Sequence, residues 1–362
     1  MSRFSRPTLA GFGLVFVVLV VAAFMIARTP GSVLGGDLLT VSPAQPSDDP
    51  VTYVLSEGSS ASTVGDELQA LGVIRSGSQF QLLVSLMGVH DRIQADTYVF
   101  QKGLPATVVI DRMVNRITVP TQRVTFPEGI RIEEMATLAE EAGFGTRDEF
   151  LAAVAAATVP PELQAIIPAG TTYERFQGFL FPDTYILPIG APPEDLVALM
   201  LDTMVIRFPA ELQQAAAAQG LNPYDAIRLA AIVEREAVLA EERPIIASVF
   251  LNRLRDGIKL DADPTVQYAV AADPASVAEF GYWKRGLTLA DLDTVSPYNT
   301  YLNAGLPPSP ITNPGLAAIE AVAHPDVTPF YYFVADGIKA DGSHVFAETY
   351  EEHLVNVDRY RQ

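Results

Sequence analysis

Leu9 to Ala27 runs without a charged residue, with Arg3 and Arg6 ahead of it and Arg28 just behind. A helix needs about 20 apolar residues to cross a bilayer, where its own hydrogen bonds must satisfy every backbone polar group. The stretch meets that length, and it exceeds the apolar core of about 7–15 residues found in a cleavable signal peptide. Two arginines before the segment and one close behind it place the N-terminus in the cytoplasm by the positive-inside bias. The expectation is a short cytoplasmic tail over 1–8 and a single-pass transmembrane helix over 9–27 in the cytoplasmic membrane. Everything after the anchor is then extracytoplasmic. A cleaved signal peptide is the competing reading, and it exports the remaining chain equally.

An exported chain with no cysteine has no disulfides and must rely on its core. At 362 residues with 49% apolar residues it can do so, with room for an anchor, a linker and one large or two smaller domains. The four histidines, His90, His324, His344 and His353, fall at no helical metal-ligand spacing, so neither a metal nor a cofactor is expected. A net charge of −19 argues against nucleic acid or an anionic lipid surface as partner of the exported part.

Residues 28–50 are rich in Gly, Pro, Ser and Asp and read as a tether. A small α/β module is expected over 51–119. Its strands are Val51–Leu55 and Ala95–Phe100, and its helices Val64–Leu71, Ser78–Met87 and Val108–Val114, with Gly72 as a helix stop. Ile117 to Val124 leads in extended form to a larger region over 120–362. There Val124-Thr125-Phe126 is strand-like, and helices are expected over Ile132–Ala142, Arg147–Ala157, Leu196–Phe208, Ala210–Gln219 and Arg243–Asp256. Phe179 to Tyr185 is an aromatic loop or short strand. The last third, with Pro264, Pro297, Pro307, Pro308, Pro310 and Pro314, reads as loop-rich. Phe330–Val334 and His344–Phe346 pair around the Asp341-Gly342 turn. The fold class expected is α+β, in two extracytoplasmic parts behind one membrane helix.

The run from Asn222 to Glu236 carries the clearest chemical signal. Asn222 suits an N-cap, and Pro223 suits the first helical position, where its missing N–H costs nothing. Val233, Ile232 and Leu229 lie behind Glu236 at helical spacing, so this carboxyl sits on the most apolar face of its helix. Desolvation there disfavours the charged form and raises the pKa, as a general acid working near neutral pH requires. The alternative is a helix-end glutamate paired with Arg235 or Arg243.

Several segments, in order along the chain, resemble the endolytic murein transglycosylases, the MltG or YceG-like family. They are Phe126-Pro127-Glu128-Gly129, Gly178 through Tyr185, Leu229 through Glu236, Ala247 through Leu254, and Asp261 through Tyr268. Ser296-Pro297-Tyr298-Asn299-Thr300-Tyr301, Gly305-Leu306-Pro307-Pro308, Ala323-His324-Pro325 and Phe333 through Gly337 follow. The resemblance spans 50–355 and is densest after 120. It implies a LysM-like small module and a mixed α+β catalytic domain. It also implies lytic cleavage of MurNAc–GlcNAc bonds within nascent peptidoglycan strands, leaving 1,6-anhydro ends. Glycan strands are then the substrate, and peptidoglycan synthases are candidate partners.

Such a reaction uses one carboxyl as acid and then base, where ordinary glycosidases use two. The wider lytic transglycosylases carry a glutamate followed by a small residue, usually serine. Glu236 precedes Ala237, whereas Glu234 precedes Arg235, which assigns catalysis to Glu236; Ala237 departs from the usual hydroxyl. Glu234 is left to orient it, bind substrate or pair with an arginine. Asn299 is a candidate for holding an N-acetyl group, since an amide donates and accepts at once, or else for bracing its own loop. Tyr298 and Thr300 flank it as candidate substrate contacts. Thr265 and Gln267 either line the cleft or belong to a turn after Asp263-Pro264. Tyr185, Phe181 and Tyr298 either stack on sugar or fill the core. An ordinary hydrolase would need a second carboxylate, for which Asp263 and Asp183 are candidates, and a non-catalytic glycan-binding scaffold is the remaining reading.

Overall fold

The structure, a computed structural model, describes residues 50–56, 58–115 and 120–360. The expected tail, anchor, nearly all of the tether, and the start of the extended stretch from Ile117 lie outside the described residues. Among the described residues no helix is long and apolar enough to cross a membrane. The chain divides into two units between Pro120 and Thr121.

The smaller unit runs β1 (Pro50–Leu55), α1 (Ala61–Ala70), α2 (Gly77–Met87), β2 (Asp96–Gln101) and α3 (Ala106–Val114). The two strands pair antiparallel with Tyr53 opposite Tyr98. Ser60 and Ser76 cap α1 and α2 through their hydroxyls. Gly65 and Gly77 let these helices touch backbone to backbone: a Cβ on Gly65 would lie 2.6 Å from the Gly77 carbonyl oxygen. Leu68, Phe80, Val84, Tyr98, Val109, Ile110 and Met113 form its core.

The larger unit begins with β3 (Thr121–Thr125), α4 (Ile132–Glu141) and α5 (Arg147–Ala156). Then come β4 (Thr184–Pro188), α6 (Pro193–Arg207), α7 (Ala210–Ala218), α8 (Pro223–Glu236) and α9 (Arg243–Arg255). The remainder is α10 (Asp263–Val270), α11 (Pro274–Phe280), α12 (Leu289–Leu292), α13 (Leu316–Ala323), β5 (Tyr332–Ala335), β6 (His344–Ala347) and α14 (Tyr350–Tyr360). β3 pairs antiparallel with β4 and β5 with β6.

The centre of this unit is α8. Ala226, Ile227 and every residue from Leu229 to Val233 are buried, and each fully buried Ile, Leu or Val contributes about 1.5–3 kcal/mol. The helix packs against α7, α9, α10 and α13. Small residues on both sides, Ala230 and Ala231 on α8 and Ala318 and Ala321 on α13, are buried within this core. Its start follows the sequence rule, with Asn222 Oδ1 accepting the Asp225 N–H at 2.9 Å and Pro223 in the first turn.

The last third is more helical than its prolines imply. Asp263–Val270, expected as cleft lining or a turn, is α10; Pro264 and Pro274 sit in the first turns of α10 and α11, where proline opens a helix. Asn313, fully buried, ties the Phe126–Gly129 and Gly178–Tyr185 segments together. Its side-chain oxygen accepts the N–H groups of Gly178 and Leu180, its carbonyl accepts that of Gly129, and its own N–H donates to Ile130 O. Gly178 has φ +93°, and a Cβ there would lie 2.7 Å from Pro310 and 2.8 Å from Ile227 on α8. The Gly178–Tyr185 segment thus forms scaffold around α8: Phe181 and Tyr185 are core residues, and the Tyr185 hydroxyl donates to Phe181 O.

Candidate active site

Three consecutive charged residues end α8, and about 100° of helical turn per residue sends them to three different surroundings. Glu234 faces inward. It pairs with Arg243 at 3.3 Å and accepts the Gly315 N–H at 2.9 Å, at the N-cap of α13, with its side chain 5% exposed. That corrects its candidacy as a substrate contact: both carboxylate oxygens are engaged inside the fold. A carboxylate at a helix N-terminus also meets the favourable end of the dipole.

Arg235 lies over the Trp283 ring at 4.0 Å and donates to Gly129 O at 3.4 Å. The Trp283 indole N–H donates to Glu134 at 3.0 Å. Close by, Arg131 lies between the rings of Tyr268 and Tyr282, at 4.1 and 4.8 Å. Gly129, at φ +75°, leaves room for this approach, since a Cβ would lie 3.2 Å from Glu234 and 3.4 Å from Arg235.

Glu236 is half-buried against the apolar side of α8. Burial, reinforced by the negative charge of Asp263, pushes its carboxyl up to about 8; Arg235, Arg253 and the Asp263 backbone N–H pull weakly the other way. A carboxyl that keeps its proton at neutral pH can deliver it to a leaving oxygen and take one back afterwards.

Arg253 on α9 is among the charges that act on Glu236. This guanidinium, 8% exposed, donates to Tyr331 O at 2.6 Å, Lys259 O at 2.9 Å, Leu260 O at 3.0 Å and Asp261 Oδ2 at 3.1 Å. It shapes the turn that launches α10, in which Asp261 takes φ +47°. Thr300 Oγ1 accepts the Ala262 N–H at 3.0 Å and meets Thr265 Oγ1 at 2.8 Å, both threonines being buried. Asp263, exposed at the start of α10, accepts the Tyr301 hydroxyl at 2.7 Å.

Of the residues singled out from sequence, Glu236 and Asp263 come together. Asn299 does not reach solvent: it is fully buried, and its amide donates to Leu292 O and Thr294 O while accepting the Tyr301 N–H. Both amide N–H groups and the amide oxygen bond to the backbone of its own loop, so its geometry is that of a loop brace. Thr265 and Thr300 brace the same loop from inside. Gln267 donates to Lys284 O at 2.9 Å, tying α10 to the Trp283 loop. Tyr298 packs on Tyr268 with ring centres 4.6 Å apart and bonds Ser309 through its hydroxyl. Asp183 caps Thr184 and pairs with Arg207 at 3.4 Å, away from the groups that act on Glu236. Arg253, Trp283 and Tyr301 escaped the sequence reading as individual residues; the chain's single tryptophan was the one available signal.

The smaller unit carries a separate cleft of about 1030 Å³ between the β1–α1 turn and the α2–β2 loop, lined among others by Ser59, Ser60, Phe80, His90 and Gln94.

A central helix ending in a half-buried, proton-retaining glutamate defines a single-carboxyl acid–base site. The YceG-like family matches residues 53–359, and the chain belongs to that family. It is 30% identical to a protein of Bacillus subtilis (strain 168) named endolytic murein transglycosylase, covering 91% of this chain and 90% of that one. A protein of the same name from Streptococcus pneumoniae (strain D39) is 28% identical, covering 85% of this chain and 58% of the relative. A crystal structure of a yceG-like protein from Listeria monocytogenes superimposes with a TM-score of 0.53 at 26% identity, covering 85% of this chain and 99% of that one.

Proposed function

We propose that this chain is a membrane-anchored peptidoglycan lytic transglycosylase that cuts MurNAc–GlcNAc bonds within glycan strands, with Glu236 as its acid and base. The observation that carries this is the half-buried Glu236, held protonated to about pH 8 at the end of a buried helix. The names of the Bacillus and Streptococcus relatives support the substrate class. In this reading protonated Glu236 gives its proton to the departing GlcNAc O4 as the bond to the MurNAc anomeric carbon breaks. The MurNAc C6 hydroxyl then bonds to that carbon and returns its proton to Glu236, so no water is consumed and a 1,6-anhydro end results.

Around this site, residues 9–27 form the anchor that holds the enzyme in the cytoplasmic membrane with its N-terminus inside. The smaller unit is a LysM-like module whose cleft receives glycan, and peptidoglycan synthases supply nascent strands. The test is mass spectrometry of muropeptides after incubation of glycan strands with the wild type and with Glu236→Gln. Internal 1,6-anhydro ends that vanish in the variant support the reading. Reducing ends in their place identify a hydrolase, and undiminished products with Glu236→Gln remove Glu236 from the chemistry.

A further inference from the structure

The turn that begins α10 is more elaborate than a helix start needs. Arg253 fixes its backbone through the Lys259 and Leu260 carbonyls and ties it to Tyr331 O, Thr265 and Thr300 lock it to the 299–301 loop, and Asn299 Oδ1 and Lys259 Nζ bind the N–H and carbonyl of Tyr301. These contacts fix the Tyr301 main chain and the start of α10, whose side chains meet at the Tyr301–Asp263 hydrogen bond of 2.7 Å. Asp263 makes no ion pair among the described residues and is exposed; its helix α10 packs against α8, and its charge reaches Glu236. Burial and the neighbouring carboxylate push the Tyr301 phenol up, so it remains a hydrogen-bond donor.

We propose that Asp263, held in place by the Tyr301 hydroxyl, is the second carboxylate of the active centre, an anion that steadies the positive charge developing on the anomeric carbon. This rests on the acid–base reading of Glu236. Asp263 makes no covalent bond and moves no proton in this role. The charge on the breaking sugar is oxocarbenium-like, and an oriented carboxylate stabilises it most where it is fixed before the reaction. Tyr301 acts through Asp263 and is a positioning residue. The groups that face Glu236 are Asp263 from α10, Arg253 from α9, Arg235 from its own helix, and Tyr301 from the loop; with Asp263 neutral, the two arginines act unopposed.

The experiment compares wild type, Asp263→Asn, Tyr301→Phe, Glu236→Gln and, as an exposed charge control on α11, Glu279→Gln. Thermal melts establish folding, and kcat, KM, product mass and the pH profile are measured with glycan strands. Asp263→Asn should lower kcat by about 100-fold and Tyr301→Phe by about 10-fold, with KM little changed, in the range of single charge-stabilising contacts. Products should remain 1,6-anhydro. Activity that falls as Glu236 deprotonates should fall at lower pH in Asp263→Asn, because one carboxylate that opposed deprotonation is gone. Wild-type kcat and an unmoved profile in a folded Asp263→Asn overturn the proposal, as does full activity in Tyr301→Phe with a shifted Asp263→Asn absent. Glu236→Gln separates the two readings: an inactive Glu236→Gln beside an unaffected Asp263→Asn leaves the acid–base reading intact, while an active Glu236→Gln removes both. If Asp263→Asn does not fold, Tyr301→Phe alone decides through its kcat and profile.

Discussion

Glu234 and Glu236 are the same side chain two residues apart on α8, and their surroundings are opposite. About 200° of helical turn separates them. On the Glu234 side, Arg243 and the start of α13 close over the carboxylate and use both its oxygens. On the Glu236 side, α10 opens with a carboxylate where Glu234 has a guanidinium. One glutamate therefore pairs with an arginine and joins three helices, and the other is held as an acid beside the start of α10. The residue type says nothing of this difference; it comes from what the chain brings to each face of one helix turn.

The comparison breaks first on activity. Glu236→Gln should lower kcat by about 10³-fold or more, the upper range for loss of a general acid, and leave the fold intact; circular dichroism beside the muropeptide assay checks both. Glu234→Ala should do the reverse. Leaving Arg243 buried without its partner costs about 3–5 kcal/mol, seen as a lowered denaturation midpoint in urea.

A smaller effect concerns stability and pH. The folded pKa of Glu236 lies above its unfolded value, so the folded state binds an extra proton between about pH 4.5 and 8 and loses stability as pH rises across that window. Glu236→Gln escapes this loss. It should be about 1–2 kcal/mol more stable than wild type at pH 8, with the gain vanishing near pH 4, as expected where function keeps a group in an unfavourable place. Melting temperatures at the two pH values test it. The smallest effect lies at the far end of α8: Asn222→Ala removes the cap and should cost about 1 kcal/mol with kcat unchanged once folded.

The α8 helix was legible because its signals are local. Cap, first-turn proline and apolar spacing lie within one segment, and the position of Glu236 follows from them. The helix α10 was not legible for a physical reason: Pro264, read as loop punctuation, stands in its first turn, where proline and helix agree, and Pro314 immediately precedes the Gly315 N-cap of α13. Asn299 was read either as a substrate contact or as a brace of its own loop, Thr265 as cleft lining or part of a turn, and Thr300 as a candidate substrate contact. Their burial depends on α10, which carries Thr265, packing against the 299–301 loop, and no spacing along the chain reveals that. The same packing brings Asp263 and Tyr301 together across 38 positions of sequence. A bond of that range appears only in the fold.

The most direct test is a carbon-13 NMR titration of the Glu236 carboxyl in the whole chain, assigned by difference against Glu236→Gln. A carboxyl signal that titrates near pH 8, moving lower in Asp263→Asn, is the expected result. A Glu236 signal that titrates near 4.5, the ordinary range for an exposed glutamate, would contradict it and leave the site without its acid.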